Sequence, residues 1–263
     1  MNRRTVALTL ALVACGGTDA KPDAAPATKA ETKASAAPEL GPDAKAAAKP
    51  DEPAPTTAAP PPAAEVRSWS FEDDAVDAVA KGFRVVAAGE VVDPPATWAV
   101  VEDPEAPSPP PHAFGVTKTV GTNKSYNLAL VDGTRYGDVE LNVMLAARSG
   151  SNNQGGGVMF RAKGEADHYI ARYNPVENNF RVYALIGGAR VDIAAAPLEL
   201  DPKAWHALRV TMVGDHIECF VDDKLVVAAD DKSLPEAGMI GLWTKGDAAT
   251  MFDDLTAAAI GPR

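Results

Sequence analysis

Three arginines are the residues best placed to do chemistry in this 263-residue chain. Arg161, Arg172 and Arg181 fall on three successive segments that alternate apolar and polar residues, and Tyr169, Tyr173 and Tyr183 share those segments. Along a strand, successive side chains point to opposite faces. That alternation groups Arg172 with His168 and Asn174 and sends Tyr169 and Tyr173 to the other side. Where neighbouring strands align, the guanidinium groups and some ring edges meet on one sheet face. Such a mix suits a saccharide, because rings meet CH faces while Arg and Asn donors bind hydroxyls. The expected ligand-binding set is Arg161, Tyr169, Arg172, Asn174, Arg181 and Tyr183. A salt-bridged sheet surface with the tyrosines in the core is the competing reading.

Other chemistries find less support. His112, His168, His206 and His216 show no paired metal-ligand spacing, so zinc is not expected. No Gly-rich loop opens a helix, and Gly155-Gly156-Gly157 precedes a strand instead, so no nucleotide site is expected. Cys219 alternates with Ile217 and Val221 and reads as a small core residue, not a nucleophile. Trp205 and Trp243 also read as core. Glu72, Asp73 and Asp74 near the first strand, with Asp253 and Asp254 near the last, are hard oxygen donors of the kind calcium takes. Solvated acid at strand ends is the alternative.

The elements that must position these groups are strands. Val139, Leu141, Val143 and Leu145 alternate with Glu140, Asn142 and Met144; Leu208, Val210 and Met212 alternate with Arg209 and Thr211. Phe220 to Leu225 reads as a tight hairpin, since Asp222 and Asp223 tolerate the positive φ of such a turn. About twelve to fourteen strands are expected between residues 68–71 and 249–259. Asp73-Asp74 could cap one short helical turn. An all-β, two-sheet antiparallel sandwich follows.

All sixteen aromatic residues lie at or after Trp69, and residues 1–64 carry seven basic and seven acidic groups. The whole net charge of −11 therefore sits on the folded part, which disfavours nucleic acid. The chain divides into a signal peptide (1–14), a tether (15–64) that cannot bury enough apolar surface to fold, and one domain (65–263). As a flexible coil the Ala/Pro-rich tether spans about 40 Å. Arg3-Arg4, the short apolar stretch Thr5–Val13 and the small residues after it make a secretory signal, too short to cross a bilayer. Leu12-Val13-Ala14-Cys15 resembles the bacterial lipobox, which implies acylation of Cys15 and a membrane partner through that anchor. Gly16 after the Cys implies the outer membrane, facing the periplasm or the cell surface.

Gly156–Arg161, His168–Asn174, Asn179–Tyr183, Trp205, Phe220, Ala237–Lys245 and Phe252–Asp254 resemble, in order and spacing, the concanavalin A-like lectin/glucanase superfamily. More narrowly, they resemble its bacterial 3-keto-disaccharide hydrolase-like family, with Trp69–Asp74 as the opening strand. The resemblance implies a jelly roll whose first and last strands pair, and a structural calcium near the ends that hold Glu72, Asp253 and Asp254. It also implies a route to cleavage of 3-keto-glycosides by proton abstraction beside the ketone. His168, Glu165 and Asp167 would be candidate bases there, with Arg161 and Arg172 as stabilisers. The glucanase carboxylate pattern is missing, because Asn142 follows Asp138 and Glu140. The leading expectation is a lipid-anchored, non-catalytic module that binds saccharides or envelope glycans and requires no cofactor. The alternatives are a keto-glycoside hydrolase acting through His168 and Arg172, and a purely structural protein–protein module.

Overall fold

The computed structural model describes residues 65–90 and 93–261; the signal peptide, most of the tether and the Cys15 acylation site lie outside the described residues. Fifteen strands run in chain order: β1 (Val66–Trp69), β2 (Phe83–Gly89), β3 (Thr97–Glu102), β4 (His112–Lys118), β5 (Ser125–Val131), β6 (Val139–Ser149), β7 (Gly156–Ala162), β8 (His168–Asn174), β9 (Asn179–Ile186), β10 (Ala189–Pro197), β11 (His206–Val213), β12 (His216–Val221), β13 (Lys224–Asp230), β14 (Met239–Lys245) and β15 (Ala249–Ala259). Every pairing is antiparallel. One sheet has the order β13-β12-β11-β6-β15-β4-β3, with β1 also on β15; the other is β10-β9-β8-β7-β14-β5-β2.

The chain folds this way because period-two apolar residues must leave water together. In β6, Val139, Leu141, Val143 and Leu145 are buried, while Glu140, Asn142 and Met144 are half-buried on the opposite face. They meet Phe160, Tyr169, Ala171, Tyr173, Phe180 and Val182 of the second sheet in a single core. Phe71, Phe83, Trp98, Phe114 and Phe252 fill one end of it, with ring centroids 5.1 to 6.0 Å apart. Cys219 is fully buried in the same core, and burial pushes its thiol well above the ordinary range, so it is unreactive.

Turn chemistry closes the hairpins. Asp222 and Asp223 adopt φ of 48° and 62°, and Val221 pairs with Lys224 across them. The expected helical turn after Asp74 does not form. Residues 72–79 make hydrogen-bonded turns, with the Asp74 N–H donating to the Phe71 carbonyl at 3.0 Å and Ala78 to Ala75 at 3.3 Å. The β1–β15 ladder pairs the first strand with the last, from Val66–Ala258 to Trp69–Leu255.

The seven-stranded sheet is apolar on both faces. β7 and β8 are buried at every position. Leu128, Leu130, Met159, Ile170, Tyr183, Leu185 and Trp243 form a second cluster on the face away from the core. The polar end of that face holds the candidate site.

Candidate saccharide site

The ladders bring five strands into one row across that face. Arg181 pairs with Arg172, Arg172 with Gly157, Gly157 with Trp243, and Trp243 with Leu128. One step toward the strand ends, Asn179 pairs with Asn174 and Lys245 with Tyr126. Gly157 has no side chain, and that lets β7 approach β8 closely: a Cβ there would collide with the Ala171 carbonyl oxygen and lie 2.8 Å from the Arg172 Cα.

Arg172 is the centre of this arrangement. Its side chain is nearly fully buried, donating through Nη2 to Glu177 Oε2 at 3.1 Å and through Nη1 to Asn179 Oδ1 at 3.5 Å. Nε has no partner, and neither does the buried Trp243 Nε1 nearby. Buried donors without acceptors are costly, about 1–3 kcal/mol each. Asn153, Gln154, Gly155, Asn174, Trp243 and Lys245 line a small cleft with Arg172. Arg181 approaches Glu177 Oε2 at 3.6 Å. Asn174 shapes the β8–β9 turn, its Oδ1 accepting the N–H of Val176 at 3.0 Å and of Glu177 at 3.4 Å.

Aromatic rings border the guanidinium. The Tyr183 ring lies 5.9 Å from Trp243 at 80°, Tyr126 packs on Trp243 at 5.7 Å, and the Arg190 guanidinium sits 4.2 Å over Tyr183. Burial, then the charges of Arg172 and Arg190, lowers the Lys245 ammonium below its ordinary pKa, although Glu177 opposes this.

The loop before β7 is fixed from beneath. Asp247 accepts the N–H groups of Ser151, Asn152 and Asn153 at 2.8 to 2.9 Å and the Ser151 hydroxyl at 3.0 Å. Burial alone would raise this carboxyl; the backbone N–H groups outweigh it and hold it well below the usual carboxylate range. Asn153 is also tied by its Nδ2 to Asn123 Oδ1 at 2.8 Å.

Several expected site residues lie elsewhere. Arg161 does not join Arg172 and Arg181. Its φ is 47° and the β7–β14 register shifts beside it, so its guanidinium turns to Gly137, Leu234 and Gly214 carbonyls at 2.8 to 3.2 Å and to Asp138 at 3.3 Å. It is a strut whose donors are occupied. Tyr169 stacks on Phe160 at 5.2 Å in the core; its hydroxyl donates to Asp231 at 2.7 Å and accepts from the Leu234 N–H at 2.9 Å. Burial pushes that hydroxyl up to about 12. Arg172, Asn174, Arg181 and Tyr183 are brought together. Trp243 is a core residue as expected, fully buried in the second cluster on the outer face of the seven-stranded sheet, whereas Trp205 is half-buried with Arg148 5.4 Å from its ring centroid and is not.

The candidate catalytic pair is separated. His168 and Arg172 occupy opposite ends of β8, four residues or about 13 Å apart along the strand. His168 is fully buried, with Nδ1 on the Gly164 carbonyl at 3.1 Å and Nε2 without a partner; burial lowers its pKa to about 4, so it is neutral at pH 7. Glu165 and Asp167 sit in the β7–β8 turn, where Asp167 accepts the Gly187 N–H at 2.8 Å.

Among the acidic candidates, Glu72 and Asp253 stand out. Asp253 is fully buried at a bulge of β15, with Oδ1 accepting the Asp254 N–H at 2.7 Å and Oδ2 without a partner. Glu72 Oε2 accepts the His112 N–H at 3.3 Å, while its buried Oε1 has none. Burial, then Asp254 and Glu72, raises the Asp253 carboxyl to about 7. Asp254 accepts the Ser108 hydroxyl at 2.7 Å. The Asp74 carboxylate turns to Lys81 instead, whose ammonium also donates to the Asp73 backbone carbonyl at 2.9 Å. Among the described residues, no three His, Cys, Asp or Glu side chains gather at metal-binding distance. Calcium also takes carbonyl and water oxygens, so two orphaned carboxylate oxygens fit it in chemical type.

Lys245, Trp243, Arg190 and Tyr126 were not marked by sequence. Trp243 and Lys245 do share a face of β14 by alternation, but only the pairing of β14 with β7 and β5 brings them to Arg172.

Known structures share this architecture. The carbohydrate binding module CBM66 from Bacillus subtilis superposes with a TM-score of 0.53 at 21% identity, covering 68% of this chain and 96% of that one. The cellulose induced protein Cip1 superposes with a TM-score of 0.53 at 13% identity, covering 75% and 100%. These likenesses are of fold. No curated protein sequence matches the chain. Residues 78–257, which span the strands of the site and leave out only β1 and the tip of β15, match one sequence family. The chain belongs to the 3-keto-alpha-glucoside-1,2-lyase-like domain family.

Proposed function

We propose that this protein is a lipid-anchored, extracytoplasmic module that binds saccharides on the polar end of the seven-stranded sheet. The observation that carries the reading is the buried Arg172 Nε, unpartnered beside an equally unpartnered Trp243 Nε1. Donors of this kind suit sugar hydroxyls, and the half-buried Tyr126 ring beside Trp243 suits a sugar CH face. Half-buried Arg181, Lys245 and Gln154 supply donors at the mouth. The fold shared with a carbohydrate binding module agrees with this use.

The test is a glycan-array screen of the full chain in mild detergent, followed by calorimetry on the hits. Saturable binding weakened about tenfold or more by Arg172→Gln supports the site. Binding untouched by that variant places the ligand elsewhere and defeats it. The N-terminal sequence supports acylation at Cys15 and outer-membrane placement. Cys15→Ser should abolish labelling by radioactive palmitate and release the protein from membranes. Calcium held by Glu72 and Asp253 is part of the same reading.

Family membership favours a second reading, elimination across a 3-keto-glycoside. A base would remove the proton beside the ketone while Arg172 stabilised the developing oxyanion. With His168 remote, Lys245 is the neighbour of Arg172 most ready to give up its proton. Turnover of a 3-keto-glucoside that disappears in Lys245→Met would establish this reading over simple binding.

A further inference from the structure

We infer that the site takes an acidic saccharide, one carrying a carboxylate such as a uronic acid; this rests on the saccharide reading above. Four cations share this face of the sheet: Arg172, Arg181 and Lys245 at its polar end, and Arg190, which reaches over the Tyr183 ring from the end that holds His168. Two carboxylates answer them. Glu177 is shared between Arg172 at 3.1 Å and Arg181 at 3.6 Å, and Asp192 serves Arg190 at 2.5 Å. Lys245 has no ion pair among the described residues; burial first, and the charges of Arg172 and Arg190 after it, lower its pKa.

This cluster runs against the charge of the whole. Residues 65–263 hold 18 Lys and Arg against 29 Asp and Glu. A surface that acidic has carboxylates to spare, yet only two answer these four cations, and Lys245 has none. Arg172 adds geometry, since its planar fork is buried and its Nε faces no acceptor. With Nη1 and Nη2 held by Asn179 and Glu177, only Nε and the Lys245 ammonium are left to answer a ligand, and a charge-assisted bond from either to a carboxylate is about twice as strong as one to a hydroxyl. The flanking rings require that the anion come on a body with CH faces, which separates a sugar acid from a free anion.

Titration calorimetry on the full chain in detergent tests this with trigalacturonate, its methyl ester, acetate and a panel of neutral oligosaccharides. The free acid should bind about tenfold or more tighter than the ester, and the gap should close at about 0.5 M salt. Arg190→Gln and Lys245→Met, both at the half-exposed mouth, should bring the acid-to-ester ratio toward one, with folding checked by circular dichroism. Equal binding of acid and ester overturns the acidic ligand and leaves the saccharide reading standing. Acetate binding as tightly as the trimer overturns it as a saccharide site. If the neutral panel binds and the acid does not, the sign of the argument is wrong. If nothing binds, both readings fall together.

Discussion

The buried Asp253 and the half-buried Asp247 are two carboxyls with opposite responses to pH. Asp253 has its folded pKa raised to about 7 from an ordinary 3.8. Between those values the unfolded chain has released this proton and the folded chain still holds it. Stability contributed here therefore falls as pH rises from about 4 to 7 and is flat above that. Asp247 is depressed instead, so its contribution is complete above the ordinary 3.8 and is lost as pH falls through and below it. Urea denaturation across this range should show the first slope vanish in Asp253→Asn. In Asp247→Asn, stability should drop at neutral pH, and the acid-side loss should shrink. Calcium favours the ionised Asp253, so it should raise the midpoint most above about pH 7. A midpoint at pH 8 that ignores calcium would exclude the metal. Sequence named both Glu72 and Asp253, but not which oxygens would be orphaned. The bulge that buries Asp253 leaves no mark on local composition.

Among the strands, what sequence could show depended on how many faces a strand buries. β6 reads plainly because one face is in the core and the other is not. The β12–β13 hairpin reads plainly because Asp222 and Asp223 meet the turn's demand for positive φ. β7 and β8 are buried on both faces, so alternation there sorts residues without saying which side is the core. Arg161 shows the further limit: the alternation places it with Arg172, and a single left-handed residue beside a register shift removes it. Gly157 is the element-level counterpart of Arg172. Gly157→Val should cost about 1–3 kcal/mol by forcing β7 from β8, and should weaken saccharide binding without touching any ligand donor. Thermal unfolding and calorimetry on the same variant would check both.

For the molecule as a whole, charge and cleft oppose each other. The domain's net negative charge should slow the approach of an acidic glycan at low salt, while the cationic cleft holds it once docked. Moderate salt should therefore speed association even as it weakens the complex, and stopped-flow measurement of the two rates would separate these effects. A neutral ligand would show neither trend. The two-sheet sandwich was readable from strand count and turn spacing, and its jelly-roll form from the family resemblance. The site was only half readable, because β14 joins β7 from far along the chain and its Trp243 and Lys245 gain their meaning from that pairing.

The position of β15 has a consequence for how the polypeptide reaches this state. It lies inside the eight-stranded sheet, between β6 on one side and β4 with β1 on the other. Until residues 249–259 are available, β1 and β4 have no partner linking them to β6, and the sheet is two unattached pieces. A ribosome or a translocation channel that still holds this segment thus holds the chain short of its native state. Assembly of this sheet is committed only when β15 arrives.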